Sequence, residues 1–98
     1  MEYTYILECA DGSHYVGTAH DLALRLSQHR DGTGSTWTRL RRPISLVWAA
    51  AFPDNGEAAL FEEEVRGWRR EHRDALIAGR LAEVPAPDGG PAGYTRTC

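Results

Sequence analysis

The sequence contains no lysine, so all 11 of its lysine-plus-arginine side chains are arginines. Two explanations fit this bias. The planar guanidinium binds phosphate in a bidentate way, which suits a phosphate site, and a codon preference of the source genome would produce the same composition. The formal net charge of −3 gives no support for nucleic-acid binding by itself.

Cysteine is also scarce, with Cys9 near the N-terminus and Cys98 as the last residue. Two cysteines placed so far apart do not make a disulfide framework, and no pair of cysteines or histidines has zinc-finger spacing. We therefore expect Cys9 to be a small core residue rather than a metal ligand.

Long apolar segments are missing as well. No apolar run approaches the ~20 residues that a membrane span needs, and the N-terminus MEYTYILEC lacks the basic start of a signal peptide. A chain of 98 residues is long enough for one small domain with one core. These absences predict a soluble cytoplasmic protein.

Hydrophobic periodicity and turn residues predict a small α+β fold of the order β-β-α-β-α-α, in which a three-stranded sheet is flanked by helices. The predicted strands are residues 3–9, 13–18 and 44–52, and the near-continuous apolar run of the third predicts a central strand. The predicted helices are residues 21–30, 57–68 and 70–79, with loop at 32–43. Proline and glycine then dominate, so we divide the chain into a folded domain, 1–80, and a flexible tail, 81–98.

The first hairpin has two candidate registers. A two-residue turn would place Tyr5 and Tyr15 on opposite faces of the sheet. A three-residue loop, residues 10–12 with Gly12 at positive φ, would place both tyrosines on one face and set Gly17 opposite Tyr5. The sequence permits both registers, and a site shared by the two phenols requires the second.

The first helix carries polar residues where core residues are expected. Leu22, Arg25, Leu26 and His29 recur at helical spacing and form one stripe. Cations facing a core are costly unless an anion meets them. Core packing alone therefore does not explain why Arg25 and His29 lie on this stripe.

On the second predicted helix, three acids follow one another as Glu62-Glu63-Glu64. At about 100° per residue, Glu62 and Glu64 lie at the edges of the apolar stripe, whereas Glu63 points to solvent. Geometry alone reduces three candidate acids to two.

Taken in order, these features form a recognisable set: Tyr3-Thr4-Tyr5, Tyr15-Val16-Gly17, Arg25 with His29, the segment TWTRLRRP at 36–43, and Glu62. The set resembles the GIY-YIG nuclease superfamily, and more narrowly its small stand-alone bacterial members, over roughly residues 3 to 79. Tyr3-Thr4 stands where the family has Gly-Ile, and Val16 stands where it has isoleucine. Both replacements suit a strand.

The resemblance implies a metal-dependent phosphodiesterase. It assigns catalytic roles to Tyr5, Tyr15, Arg25, His29 and Glu62, with Glu62 also the ligand of Mg²⁺ or Mn²⁺. Because a phenol is a poor base at neutral pH and imidazole titrates closer to it, the general base stays open between the two tyrosines and the histidine.

The implied substrate is nucleic acid, DNA rather than RNA, in single-stranded or structured form. Gly17 has a structural role in the resemblance. The implied nucleic-acid contacts are Thr36, Trp37, Arg39, Arg41 and Arg42. Two other functions remain as alternatives, a nucleic-acid-binding module without hydrolysis and a protein-interaction domain.

Overall fold

A computed structural model describes residues 1–79 of the chain, and the tail predicted for 81–98 lies outside the described residues. The elements are β1 (Glu2–Glu8), β2 (His14–Ala19), α1 (Leu22–Asp31), α2 (Thr36–Arg39), β3 (Ser45–Phe52), α3 (Asn55–Arg66) and α4 (Arg70–Ile77). The strands form one antiparallel sheet of order β2-β1-β3. The predicted α+β fold is confirmed. In this part of the chain, every helix is too short or too polar to cross a bilayer.

The centre of the sheet is β1, so the prediction of a central third strand was wrong. Residues 4–7 of β1 are buried on both faces. β3 is apolar along most of its length because both faces of this edge strand are covered. Its Trp48 and Phe52 pack with α3 and α4 in one core, while Ala49 packs against the core on the α1 side.

The first hairpin adopts the register with the three-residue loop. The Cys9 N–H donates to the Ser13 carbonyl at 2.9 Å, and Gly12 has φ 85°. Tyr5 consequently pairs with Gly17 in the β1–β2 ladder. Cys9 is buried just beyond the end of β1, as a small core residue should be.

Local capping fixes the ends of the helices that carry candidate residues. The Asp21 carboxylate accepts from the Leu24 N–H at the start of α1, and Gly32 ends that helix in the left-handed conformation. Asp54 caps α3. The segment predicted as a loop at 32–43 contains the one-turn helix α2, because Ser35 caps it by accepting from the Thr38 N–H.

Candidate active site

The site is built around Tyr5, whose side chain is 1% exposed in the central strand. A Cβ atom added to Gly17 would lie 2.7 Å from the Tyr5 hydroxyl oxygen and 3.0 Å from Cε2 of Tyr15. Such distances are shorter than van der Waals contact, so glycine at position 17 is what allows both rings to lie over β2. The absence of a side chain at Gly17 thus leaves the space that the two rings occupy.

A buried chain of hydrogen bonds links Tyr5 to α2. The Tyr5 hydroxyl lies 2.9 Å from Nε2 of His29, and His29 Nδ1 lies 2.9 Å from Oγ1 of Thr38. Thr38 in turn donates to the Ser35 carbonyl at 3.3 Å. All donors are satisfied when Tyr5 donates to Nε2 and His29 donates from Nδ1 to Thr38, which makes His29 the neutral Nδ1–H tautomer.

Electrostatics agree with that assignment. Burial, and then the Arg25 charge, lower the pKa of His29, so the imidazole stays neutral. Burial is also the largest cause that raises the pKa of Tyr5 well above its usual value, with Tyr15 and Glu62 raising it further and Arg25 opposing them. Tyr5 is therefore a hydrogen-bond donor held in its protonated form.

The ring of Tyr15 completes an aromatic cluster at the edge strand. Its centroid lies 5.1 Å from that of His29, 6.3 Å from Tyr5 and 5.9 Å from Trp37. The side chain is half-buried, and no residue in 1–79 forms a hydrogen bond with its hydroxyl. Of the two phenols, Tyr15 is the one with a hydroxyl that an incoming molecule can contact.

Arg25, on α1, adds a positive charge near Tyr5 and His29. Its side chain is half-buried, and the described residues offer its guanidinium neither a carboxylate nor a hydrogen-bond acceptor. Its charge nevertheless acts on both Tyr5 and His29. A cation in this position suits an anion supplied from outside the protein.

The candidate acid, Glu62, lies on α3, which packs on the sheet face opposite to α1. Among the three consecutive glutamates, Glu62 alone is half-buried, while Glu63 and Glu64 are exposed. Glu62 has 18% side-chain exposure, and its Oε2 accepts from the Arg66 guanidinium at 2.9 Å. The Glu62 charge raises the pKa of Tyr5 and the Arg25 charge lowers it, so both groups act on the same hydroxyl.

Metal binding within residues 1–79 would depend on few protein ligands, because this region holds no cluster of three or more His, Cys, Asp or Glu side chains able to ligate an ion. Glu62 still fits a hard cation. Mg²⁺ keeps several water ligands and is commonly held by one or two carboxylates plus substrate phosphate. The exposed Arg66 partner forms a surface ion pair, which is weak enough to exchange.

The arginines of the loop differ in how firmly they are held. Arg41 stacks over the Trp37 ring at 4.1 Å and pairs with Asp11, and Arg42 donates to the carbonyls of Arg39 and Arg30. The exposed Arg39 guanidinium has no hydrogen-bond or ion-pair partner in the described region. Arg39 is thus the loop arginine that is free to contact a ligand.

The other two loop candidates are both accessible. Trp37 is 37% exposed, and its ring lies between Tyr15 and Arg41. Thr36 is exposed at the first position of α2. The loop therefore presents an aromatic surface and one unpaired cation beside the tyrosine cluster.

Sequence reasoning missed the residues that hold His29 in place. A Cβ atom on Gly34 would lie 2.7 Å from His29 Nδ1, and Thr38 is fully buried. Both lie in a segment rich in glycine and threonine, which looks like an ordinary loop. The available signal was local, since Ser35 is a residue type that commonly caps the start of a helix.

Comparison with known proteins identifies the family of this chain. The profile of the GIY-YIG catalytic domain matches residues 1–74. The chain therefore belongs to the GIY-YIG family, a family of nucleases that act on nucleic acids and generally use divalent metals, and the resemblance seen in the sequence is confirmed.

Within that family, the chain is similar to proteins named UPF0213. A UPF0213 protein of Bacillus pumilus is 41% identical over 84 residues, which is 86% of each chain. UPF0213 protein BH0048 of Halalkalibacterium halodurans is 42% identical over 76 residues, 78% of this chain and 81% of that one. The solution NMR structure of UPF0213 protein BH0048 from Bacillus halodurans has a TM-score of 0.53 at 39% identity, and covers 99% of this chain and 95% of that chain.

Proposed function

We propose that the protein is a divalent-metal-dependent endonuclease that hydrolyses phosphodiester bonds in DNA, in single-stranded or structured form. The observation that carries this proposal is the convergence at Tyr5. The Tyr15 ring lies 6.3 Å from the Tyr5 ring between centroids, and the charges of the unpartnered Arg25 guanidinium and of the half-buried Glu62 carboxylate both act on the Tyr5 hydroxyl. Of these groups, Arg25 has no counter-ion within residues 1–79, so its charge is left for an anion supplied from outside the protein.

In this proposal, Arg25 binds the scissile phosphate and stabilises the negative charge that grows on it during attack. Glu62 holds Mg²⁺ or Mn²⁺, which when bound supplies charge neutralisation at a phosphoryl oxygen. The loop residues Thr36, Trp37, Arg39, Arg41 and Arg42 face the flanking strand, with Arg39 making the direct phosphate contact.

The geometry favours Tyr15 as the group that would orient the attacking water and, once its own hydroxyl has lost a proton to solvent, accept the proton of that water. Tyr5 already donates its proton to His29, and burial holds that proton on the phenol. His29 has both ring nitrogens hydrogen-bonded and no exposed surface. We assign Tyr5 and His29 to positioning Tyr15 and the phosphate, because neither can reach a water without breaking a buried bond.

The test is cleavage of labelled single-stranded and branched DNA by the purified chain in Mg²⁺ or Mn²⁺. Glu62→Gln and Arg25→Ala should abolish cleavage while circular dichroism shows an intact fold. Glu63→Gln and Arg30→Ala change the same charges at exposed positions of the same helices and should cleave normally. Absence of cleavage by the wild-type chain, or undiminished cleavage by Glu62→Gln, would overturn the proposal.

A further inference from the structure

A second group of charged and aromatic side chains adjoins the site on its α4 side. It lines an open cleft of about 410 Å³ formed by His14, Tyr15, Val16, Trp37, Arg66 and Arg73. That volume lies in the range of small-ligand sites, ~300–1,000 Å³. Tyr15 is shared with the candidate active site, and Arg66 pairs with Glu62. The cleft is therefore continuous with the place where the scissile phosphate would lie.

Arg73 is held rigidly in the wall of this cleft. Its Nη1 donates to the Trp68 carbonyl at 2.7 Å and the Val65 carbonyl at 3.4 Å, while its Nε donates to His14 Nδ1 at 3.2 Å. None of these partners carries a negative charge, and the described chain supplies Arg73 with no carboxylate. A fixed guanidinium without a counter-ion is pre-organised for an anion.

His14 adds an N–H donor, and the bond from Arg73 shows which ring nitrogen carries the proton. Because Nδ1 accepts from Arg73, the proton of the neutral ring lies on Nε2. Burial, and then the charges of Arg70 and Arg73, lower the pKa of His14, which keeps the ring neutral. The cleft thus combines N–H donors from His14 and Arg73 with the exposed ring of Trp37.

We propose that this cleft binds the nucleotide next to the scissile phosphate, with Arg73 and His14 contacting its phosphate group and Trp37 contacting its base. The inference rests on the proposed function, because the nucleotide in the cleft would belong to the same strand as the scissile phosphate. Aromatic side chains beside a cationic groove are the usual means of holding unpaired nucleotides. The segment TWTRLRRP then supplies one wall of the binding site, and α4 supplies the other.

The experiment measures binding rather than cleavage. Fluorescence anisotropy with a labelled oligothymidine of about ten nucleotides, in EDTA, gives affinity across ~50–200 mM salt. Arg73→Gln should weaken binding about tenfold and reduce the slope of log affinity against log salt by about 0.7 for the lost phosphate contact. Arg69→Gln removes the same charge from an exposed position outside the cleft and should leave the slope unchanged.

Arg73 also donates to two backbone carbonyls, so Arg73→Gln can fail to fold for reasons unrelated to binding. A second variant therefore tests the cleft without removing those bonds. His14→Phe keeps a strand-forming aromatic ring but loses the donor, and should weaken binding about threefold or more. Unchanged affinity and slope in folded Arg73→Gln or His14→Phe, or no binding by the wild type at low salt, overturns the cleft assignment.

The two proposals can fail separately. If Glu62→Gln abolishes cleavage while Arg73→Gln binds like the wild type, the cleft proposal alone fails. If the wild type does not cleave but Arg73→Gln shows the reduced slope, the nuclease proposal fails and the cleft remains a nucleic-acid site.

Discussion

Replacing Gly17 by alanine should destabilise the protein by a large part of its folding free energy. Gly17 lies in a strand and is absent from the glycines with positive φ, so its backbone tolerates alanine. The difficulty is space, because the new Cβ would lie 2.7 Å from Oη and 2.9 Å from Cζ of Tyr5. Tyr5 cannot turn aside without leaving its hydrogen bond to His29.

The magnitude follows from three contributions. Overpacking costs about 1–3 kcal/mol, and breaking the buried bond between Tyr5 and His29 costs about 1–3 kcal/mol more. The smaller entropy of the unfolded alanine chain offsets about 0.4–1 kcal/mol. The net loss of about 1–6 kcal/mol compares with a total stability of about 4–12 kcal/mol for a folded region of this size.

Urea unfolding followed by circular dichroism measures this loss. Gly67→Ala is the matched control, because its Cβ would approach no atom closer than 3.6 Å and stability should hold or rise slightly. In a Tyr5→Phe background the nearest clashing atom is gone, so Gly17→Ala should cost less there. Equal losses in both backgrounds, or no loss in either, would refute this account of Gly17.

Two further predictions concern charge. Burial lowers the pKa of His29 and of His14, so the folded state binds fewer protons than the unfolded state and stability should fall as pH drops below about 6.5. Urea midpoints at about pH 7.5 and 5.5 test this, and a flat profile contradicts it. Arg39→Ala should reduce the salt slope of single-strand binding by about 0.7 without loss of stability, whereas Arg42→Ala should lower the melting temperature, because the Arg42 guanidinium donates to the carbonyls of Arg39 and Arg30 and the Arg39 guanidinium has no such partner in the described region. The reverse pattern would show that the loop arginines are misassigned.

Much of the fold could be predicted because its determinants are local. Asp21 and Gly32 act within one turn of α1, so residue type and spacing predicted its ends to within one residue, whereas α3, predicted at 57–68, begins and ends two residues earlier. The hairpin was harder, since one extra loop residue reverses which face Tyr15 occupies. Side-chain alternation in the sequence leaves both registers possible. The three-residue loop with Gly12 at positive φ fixes the register that forms.

What the sequence could not supply is the pairing of side chains across elements. Nothing local distinguishes Arg39 from Arg41 and Arg42, yet contacts with Asp11 and with the end of α1 leave Arg39 alone unpaired among the three in the described region. The helical stripe likewise places His29 toward the core, but nothing in the sequence shows that Thr38 and Tyr5 occupy both of its nitrogens. Such partners are separated by at least nine residues, beyond the reach of periodicity.

The buried bond between His29 and Thr38 has a consequence for engineering. Through His29, it links the short helix that carries Trp37 to Tyr5, which packs against Gly17, so the residues proposed for recognition and for catalysis depend on one buried hydrogen-bond chain. Grafting a foreign loop to retarget the protein must therefore transplant Gly34, Ser35 and Thr38 with it. A graft that copies only surface residues would remove the Thr38 hydrogen bond that fixes the His29 ring. His29 would then no longer hold the Tyr5 hydroxyl in place.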